Sequence, residues 1–439
     1  MSSGFNVREF TRVKVTLNDG STIVGLVLPR PEVSDPDVLV IKLENGYNVG
    51  VKMSKVKSIE TLGEYKPPRV EIPPYGKVIG GGVGARVRLV ATGGTIMSRV
   101  DYVTGAVYPS FSLEDLYSMY PELKGIANLE MVNLMAIFSE DMNPQRWSMI
   151  AEEACRAFRD GASGVVILHG TDTMHYSAAA LAFAIPKAPG PVAFVGAQRS
   201  SDRPSSDSFE NLYAATLTAV KAPFAESVVV MHDTISDGVM AVHRGVRVRK
   251  MHTSRRDAFI SINSDPLAKV YVKEGEVKVI LNNYKARSSD IECATKFDDK
   301  VALVKYYPGM SAEILEFLID RGYHGIVIEG TGFGHVGEHL LKPIGRAIEL
   351  GIPVVIASQT IFGRVNLNVY RRGVELLRLG VIPAEDMHPE AAYVKLTWVL
   401  ANSNRSLEEV RKLMLTPLAF EVNPRTDPAN YIKPPTIPQ

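Results

Sequence analysis

The sequence VRLVATGGTI at residues 87–96 decides the fold of the larger part of the chain. Its first five residues are mostly apolar, which is typical of a parallel strand covered on both faces. Gly93 and Gly94 then allow a sharp turn and a close approach of the backbone to a ligand. Open α/β sheets bind ligands at the carboxyl ends of their strands. The stretch therefore predicts an α/β domain, with Thr95 as a candidate nucleophile.

A second apolar stretch, residues 164–168, also ends in polar residues, since Thr171 and Asp172 follow it closely. Both strand ends are expected to line one crevice. A threonine alcohol is a weak nucleophile that needs an adjacent base, and Asp172 together with a lysine would supply one. The alternative is that Thr171 and Asp172 only cap the following helix, and capping is the favoured interpretation for this pair taken alone.

Alternating strands and helices extend over residues 86–290 and again over residues 300–424. This pattern predicts a larger doubly wound α/β domain followed by a smaller C-terminal α/β domain. Residues 425–439 contain four prolines and are predicted to form an extended tail.

Residues 1–65 contain short alternating strands joined by tight turns such as the one at Asp19 and Gly20. They predict a small β-barrel of the SH3 or Sm-like kind. Such a barrel is either a binding module or an accessory spacer, and the sequence favours neither. Residues 66–85 are rich in proline and glycine and are predicted to be a linker. The glycines at 80–84 precede the strand, so they do not fit a dinucleotide-binding fingerprint.

The composition is that of a globular protein without a strong overall charge. The 439 residues are 46% hydrophobic, and 49 basic against 48 acidic residues give a net charge of +1. Nucleic acid or an anionic membrane would therefore have to be met by a local patch. Two cysteines, Cys155 and Cys293, are too few for a disulfide framework or a four-cysteine zinc site, which favours a reducing cytoplasm. We expect no membrane span, no metal and no cofactor in this chain.

Three segments resemble the motifs of the bacterial-type L-asparaginase and glutaminase family. They are ATGGTI at residues 91–96, HGTDTM at 169–174 and, as the substrate-binding loop, SEDMN at 139–143. The first two segments are the signature motifs, and the presence of both is highly specific for this family. The resemblance implies an asparaginase-like fold in which Thr95 attacks the side-chain amide carbon and forms an acyl-enzyme. It also implies that Thr171, Asp172 and a lysine form the activating group.

The same resemblance assigns the remaining site residues. The segment KMHTS matches the lysine segment of the family after an insertion over residues 241–249, which assigns Lys250. Tyr102, in a Tyr-x-x-Gly pattern, would close over the substrate. Ser139 and Glu140 would hold the α-carboxylate and α-amino groups of a free amino acid. Without the resemblance, the tyrosine reads as an exposed aromatic and the Ser-Glu pair as ordinary surface residues.

The domain ahead of the first motif distinguishes this chain from free asparaginases, which begin near that motif. This arrangement, together with GRVNLNVY at residues 363–370, resembles the archaeal branch of the family that serves tRNA-dependent amidotransferases. The branch implies hydrolysis of L-glutamine and transfer of ammonia to a GatE-type partner subunit. That partner would use ATP and Mg²⁺ to convert Glu-tRNA(Gln) to Gln-tRNA(Gln). The branch also implies a homodimer within a heterotetramer.

Two other functions stay open at this point. One is a stand-alone cytoplasmic L-asparaginase that acts on L-asparagine. The other is an RNA-binding or scaffold protein on a degenerate asparaginase fold, against which the intact Thr95, Thr171 and Asp172 argue. Apart from Lys250, the basic residues at 243–256 favour a solvated surface, with contact to the partner or to tRNA phosphate as the alternative.

Overall fold

A computed structural model of the chain describes residues 7–29, 35–43, 48–64, 77–79, 84–94, 96, 98–100, 107–109, 116, 117, 120–201 and 205–431. Within them, the main sheets are an N-terminal antiparallel sheet, a nine-stranded mixed sheet and a four-stranded parallel sheet. Each of these three sheets packs on its own apolar core. The predicted fold class, two α/β units preceded by a small β-rich unit, is confirmed.

The N-terminal sheet has the strand order β4-β3-β2-β1-β5. Its strands are β1 (Thr11–Leu17), β2 (Thr22–Val27), β3 (Val38–Leu43), β4 (Asn48–Lys52) and β5 (Val56–Glu64). Val13 and Val15 are fully buried while Lys14 between them is half-buried, which is the alternation of a strand with one face on a core. Gly20 forms the predicted turn with a φ of +87°. Antiparallel pairing, with the turn at Gly20 between β1 and β2, thus builds the β-rich unit.

The strands of the larger domain lie between residues 77 and 279. They are β6 (Lys77–Ile79), β7 (Arg86–Gly93), β8 (Ser98–Val100), β9 (Val107–Pro109), β10 (Asn128–Ile137), β11 (Gly164–Leu168), β12 (Val192–Val195), β13 (Ser227–His232), β14 (Val239–Arg244), β15 (Val248–Lys250), β16 (Phe259–Ser261), β17 (Ala268–Tyr271) and β18 (Glu276–Val279). The nine-stranded sheet has the order β18-β17-β14-β13-β12-β11-β7-β10-β6. Its central strands β13, β12, β11, β7 and β10 are parallel. Strands β8 with β9 and β15 with β16 form separate antiparallel pairs.

Helices cover both faces of the nine-stranded sheet. They are α1 (Pro144–Arg159), α2 (Met174–Ala184) and α3 (Ser208–Lys221). Leu89 of β7 packs in the core beneath α3, and Val90 packs in the core beneath α1 and α2. Because successive side chains of a strand point to opposite faces, a strand covered on both sides is apolar throughout. This explains why β7 reads as a nearly continuous apolar run.

The predicted linker contributes one strand to the large sheet. β6, at residues 77–79, pairs antiparallel with β10 at the edge of the sheet. The register joins Val78 to Met131. Part of the Pro- and Gly-rich segment therefore adds an edge strand to the larger domain.

The C-terminal unit is a smaller α/β layer. Its elements are β19 (Val301–Lys305), α4 (Glu313–Asp320), β20 (Gly325–Gly330), α5 (Leu341–Glu349), β21 (Val354–Ser358), α6 (Arg371–Leu379), β22 (Ile382–Pro383), α7 (Pro389–Asn402) and α8 (Leu407–Leu415). Val394 of α7 packs in the core of the larger domain, whereas Leu396 packs in the core of the smaller one. Helix α7 therefore joins the two α/β units.

Cys155 of α1 forms a disulfide with Cys293, which lies between β18 and β19. From the sequence, two cysteines are too few for a disulfide framework, whereas the structure joins them in one disulfide. The two cysteines are 138 residues apart in sequence, and a count of cysteines does not show that the fold brings them together.

Residues 425–431, the described beginning of the predicted tail, contain neither helix nor strand. In the part of the chain that the structure describes, no helix combines the length and the apolar character needed to cross a membrane.

Candidate active site

Three segments meet at the carboxyl edge of the nine-stranded sheet. Gly94 follows β7, Gly170 follows β11, and Ser139 begins a short 3-10 helix after β10. A Cβ atom on Gly94 would lie 2.5 Å from the Gly170 nitrogen, and a Cβ atom on Gly170 would lie 2.7 Å from Ser139 Cβ. These distances exclude a side chain at either glycine, so the backbones at Gly94 and Gly170 are in direct contact.

Lys250, the last residue of β15, contacts the segment that follows β11. Its Nζ donates hydrogen bonds to Thr171 Oγ1 at 2.9 Å and to Asp172 Oδ1 at 2.7 Å. The Lys250 side chain is 8% exposed, whereas that of Asp172 is 69% exposed. The structure therefore brings three of the predicted site residues together, and it leaves the carboxylate of Asp172 open to solvent.

The capping interpretation of Thr171 and Asp172 does not match the start of helix α2. The N-cap residue of this helix is Thr173, and no side chain caps the helix there. The Thr173 hydroxyl instead donates a hydrogen bond to the Ser139 carbonyl at 2.6 Å. Thr171 and Asp172 thus precede the helix, and their side chains bind Lys250.

Strand β15 is held in place by ion pairs to the C-terminal unit. Arg247, just before this strand, is buried and contacts Asp386 Oδ2 at 3.0 Å, and Arg249 within it contacts Glu390 Oε1 at 2.6 Å. Burial lowers the pKa of the Arg247 guanidinium, an effect that the nearby Asp386 carboxylate opposes. The two pairs fix the backbone on either side of Val248 and so position Lys250.

The basic residues at 243–256 are therefore not simply a solvated surface. Arg244 is buried and pairs with Glu226 at 2.6 Å. Arg247 is also buried, so the favoured interpretation of these charges as a solvated surface is wrong for both residues. Their acidic partners, Glu226 and Asp386, lie in connecting segments elsewhere in the chain, and the local charge pattern does not reveal them.

His169 is a buried residue beside the site, and it was not identified as a site residue from the sequence. Its Nε2 lies 2.9 Å from Ser177 Oγ, and its Nδ1 lies 2.7 Å from the Gly170 carbonyl oxygen. Ser177 Oγ accepts a hydrogen bond from Trp147 Nε1, so its own proton is free to be donated to His169 Nε2. Burial lowers the pKa of His169 to about 4, so the ring is neutral near pH 7 and its Nδ1–H fixes the Gly170 carbonyl.

Of the other predicted site residues, the structure describes Ser139 and Glu140. Ser139 is buried at the meeting point of the three segments, and Glu140 beside it is exposed. Thr95 and Tyr102 lie outside the described residues. The glycine before Thr95 nevertheless contacts the glycine before Thr171.

This arrangement suits proton transfer at a hydroxyl group. An amine that contacts both a threonine hydroxyl and a carboxylate provides a path for the proton that a nucleophile must lose. A proton can pass along the contact between the Thr171 hydroxyl and the Lys250 amine, with the Asp172 carboxylate beside that amine. The chemistry available at this edge is therefore activation of an oxygen nucleophile.

Three family models match the chain. They are the GatD N-terminal domain at residues 7–62, the N-terminal domain of asparaginase at residues 86–285 and the C-terminal domain of glutaminase and asparaginase at residues 300–414. The first coincides with the β-rich unit, and the other two coincide with the two α/β units.

Solved structures of asparaginases are similar to the two α/β units. The thermostable L-asparaginase from Thermococcus kodakarensis has 32% sequence identity and a TM-score of 0.69, over 77% of this chain and 100% of that chain. A probable cytoplasmic L-asparaginase from Campylobacter jejuni has 26% identity and a TM-score of 0.64, over 76% of this chain and 100% of that chain. Both similarities agree with the α/β fold described above.

Curated relatives match along nearly the whole chain. The D subunit of the glutamyl-tRNA(Gln) amidotransferase from Thermofilum pendens is 53% identical over 96% of this chain and 94% of its own length. The corresponding D subunits from Pyrobaculum aerophilum and Pyrococcus furiosus are 53% and 48% identical, over 95% and 98% of this chain and 98% of each relative. The chain therefore belongs to the family of glutamyl-tRNA(Gln) amidotransferase D subunits.

Proposed function

We propose that this chain is the glutaminase subunit of a tRNA-dependent amidotransferase that converts Glu-tRNA(Gln) to Gln-tRNA(Gln). The observation that carries the proposal is the match to D subunits over 94–98% of their own lengths, because it includes the N-terminal domain as well as the α/β units. The asparaginase-like units supply the amidohydrolase activity. A stand-alone L-asparaginase is not favoured, because the asparaginase structures cover only 76–77% of this chain.

In the proposed mechanism, the Thr95 hydroxyl attacks the side-chain amide carbon of glutamine. The C–N bond breaks, the nitrogen takes up a proton and leaves as ammonia, and an ester to Thr95 remains. Water then attacks the ester carbon, which releases glutamate and restores the Thr95 hydroxyl. Lys250, between Thr171 and Asp172, relays the protons of both steps.

Substrate recognition is assigned to residues near Gly170. Ser139 lies against that glycine, and this contact supports a role in substrate binding. Ser139 and Glu140 would bind the α-carboxylate and α-amino groups of the amino acid, and Tyr102 would cover it.

The ammonia is passed to a partner in this proposal. A GatE-type subunit would activate the glutamate on Glu-tRNA(Gln) with ATP and Mg²⁺, so these cofactors belong to the partner and not to this chain. We expect a homodimer of this chain within a heterotetramer, in the cytoplasm.

The test measures ammonia released from glutamine and from asparagine by the purified chain, alone and with the co-expressed partner and Glu-tRNA(Gln). We expect glutamine hydrolysis, and transfer of the amide group to tRNA only in the complete mixture. Rapid hydrolysis of asparagine by the chain alone, with no partner that co-purifies, would identify a stand-alone asparaginase instead.

The proposed catalytic residues are tested in the same assay. Thr95→Ala, Thr171→Ala and Lys250→Met should each lower the rate by about 10³-fold or more, because groups that act as a unit fail together. Thr22→Ala and Lys305→Met remove the same side-chain types from exposed positions and serve as controls. Wild-type turnover in either threonine variant contradicts the two-threonine scheme, and wild-type turnover in Lys250→Met contradicts the proton relay.

A further inference from the structure

A histidine and two carboxylates converge beside the carboxyl end of β13, and none of the three is a residue proposed for catalysis. His232 ends β13, Glu210 belongs to α3, and Asp237 lies in the turn before β14. His232 Nε2 lies 3.6 Å from Glu210 Oε2 and 3.6 Å from Asp237 Oδ1. One ligand atom from each of the three side chains lies within 4.8 Å of the others. The three side chains are therefore close enough to share one ion.

The hydrogen bonds of Asn211 fix the tautomer of His232. Asn211 Nδ2 donates to the Gly196 carbonyl at 3.0 Å and to Asp207 Oδ2 at 2.9 Å, which identifies that end of the amide as the NH₂ group. Asn211 Oδ1 is therefore the acceptor in its 2.8 Å contact with His232 Nδ1. The proton of the neutral ring is thus on Nδ1, and the lone pair is on Nε2.

The Nε2 lone pair faces the two carboxylates. The His232 side chain is 0% exposed, and its Nε2 has no hydrogen-bond partner among the described residues. A buried polar atom in this situation is costly unless something satisfies it. A lone pair aimed at two negative groups is the arrangement that a bound cation would stabilise.

The geometry and the surroundings of the three groups suit a metal ion. Metal–ligand bonds of about 2.1 Å place neighbouring ligands of a tetrahedral site about 3.4 Å apart, close to the two observed 3.6 Å separations. The Gly238 N–H donates to Glu210 Oε2 at 2.8 Å, and Asn211 orients His232, so each of these ligands has an outer hydrogen bond. Asp237 also pairs with Arg256, and its side chain is 70% exposed, which leaves a path for entry of an ion.

We infer that Glu210, His232 and Asp237 form a binding site for a divalent transition-metal ion. One imidazole nitrogen with two carboxylate oxygens is a ligand set that suits Zn²⁺, and water would complete the coordination. The ion would connect α3, the end of β13 and the turn before β14. This inference departs from the expectation of no metal in the chain, and it does not depend on the proposed glutaminase function.

The test uses the full-length chain after removal of metals with a chelator. It is titrated with Zn²⁺ and, as a spectroscopic probe, with Co²⁺, and bound metal is measured by elemental analysis. We expect one equivalent per chain, a higher melting temperature on addition of Zn²⁺, and the visible absorption of Co²⁺ in a site of low coordination number. If the stripped chain takes up no equivalent of either metal, the inference is wrong.

The variants locate the bound ion. Glu210→Gln and Asp237→Asn keep the shape of each side chain, and each should weaken binding of Zn²⁺ by at least about 10-fold. Glu274→Gln alters an exposed acid in the turn between β17 and β18 and serves as the matched control. Wild-type affinity in both ligand variants would place the metal elsewhere and overturn the assignment. Glutamine hydrolysis, measured on the same samples, reports separately on the proposed function.

Discussion

At the scale of single residues, Gly94 lies in the loop after β7 at a position with no room for a side chain. Its φ is +85°, and a Cβ atom would lie 2.5 Å from the backbone nitrogen of Gly170. We expect Gly94→Ala to displace the loop that carries Thr95. Because a shift of about 1 Å in a reacting group costs about 100-fold in rate, glutamine hydrolysis should fall by about that factor.

The control for Gly94→Ala is Gly20→Ala. Gly20 has nearly the same φ, +87°, but no atom lies within 4 Å of its added Cβ. The two substitutions impose a similar backbone strain, so the difference in glutamine hydrolysis between them isolates the contact with Gly170. If both variants keep wild-type activity, the contact between Gly94 and Gly170 does not position the site.

His243 of β14 makes stability depend on pH. Burial lowers its pKa to about 4 from the ordinary value of 6.5, an effect that Asp233 opposes. Between these two values the unfolded chain binds a proton at this site and the folded chain does not, so stability falls as the pH falls from 6.5 to 4 and this contribution is constant below. A difference of 2.5 pKa units corresponds to about 3 kcal/mol.

The His243 contribution is isolated with His243→Gln. Denaturant unfolding of both proteins, measured at intervals between pH 7 and pH 4, gives the difference in their free energies of unfolding. This difference should change by about 3 kcal/mol over the window, in favour of the variant at low pH. Parallel stability profiles for the two proteins would show that His243 does not titrate in this way.

At the scale of elements, the features read correctly from sequence were those encoded within a few neighbouring residues. The apolar runs before Gly93 and His169 are buried strands because both faces of the central sheet are covered. The predicted turn at Asp19 and Gly20 is also local, and Gly20 adopts it with a φ of +87°.

The elements that sequence reasoning missed depend on distant partners. Arg247 and Asp386 are separated by 139 residues, so a local run of basic residues gave no sign that its charges are buried in pairs. Strand β6 has only three residues, and its pairing with β10 arises from the assembled sheet.

The contacts within the candidate site also join residues that are distant in sequence. Lys250 and Thr171 are 79 residues apart, and only the resemblance to a family pointed from one to the other. His169 and the tautomer of His232 follow from hydrogen bonds between elements, which no spacing of residues reveals. The roles of all the predicted site residues, including Thr95 and Tyr102, stay predictions.

At the scale of the whole molecule, the disulfide between Cys155 and Cys293 closes a large part of the chain into a loop. It links α1 of the larger domain to the connection before the C-terminal unit, with a sequence separation of 138 residues. A crosslink between such distant positions restricts the unfolded chain more than the folded one.

Reduction of this disulfide should destabilise the larger domain without loss of its fold at moderate temperature. For a loop of this length, the chain-entropy model gives a stabilisation of about 5 kcal/mol. The transition of this domain in denaturant unfolding, followed with and without a phosphine reductant, should shift to lower denaturant when the reductant is present. The double variant Cys155→Ala/Cys293→Ala should unfold at that lower midpoint in both conditions. A reductant-dependent shift in the double variant would assign the effect to something other than this bond, and no shift in the wild-type chain would mean that the bond adds no stability.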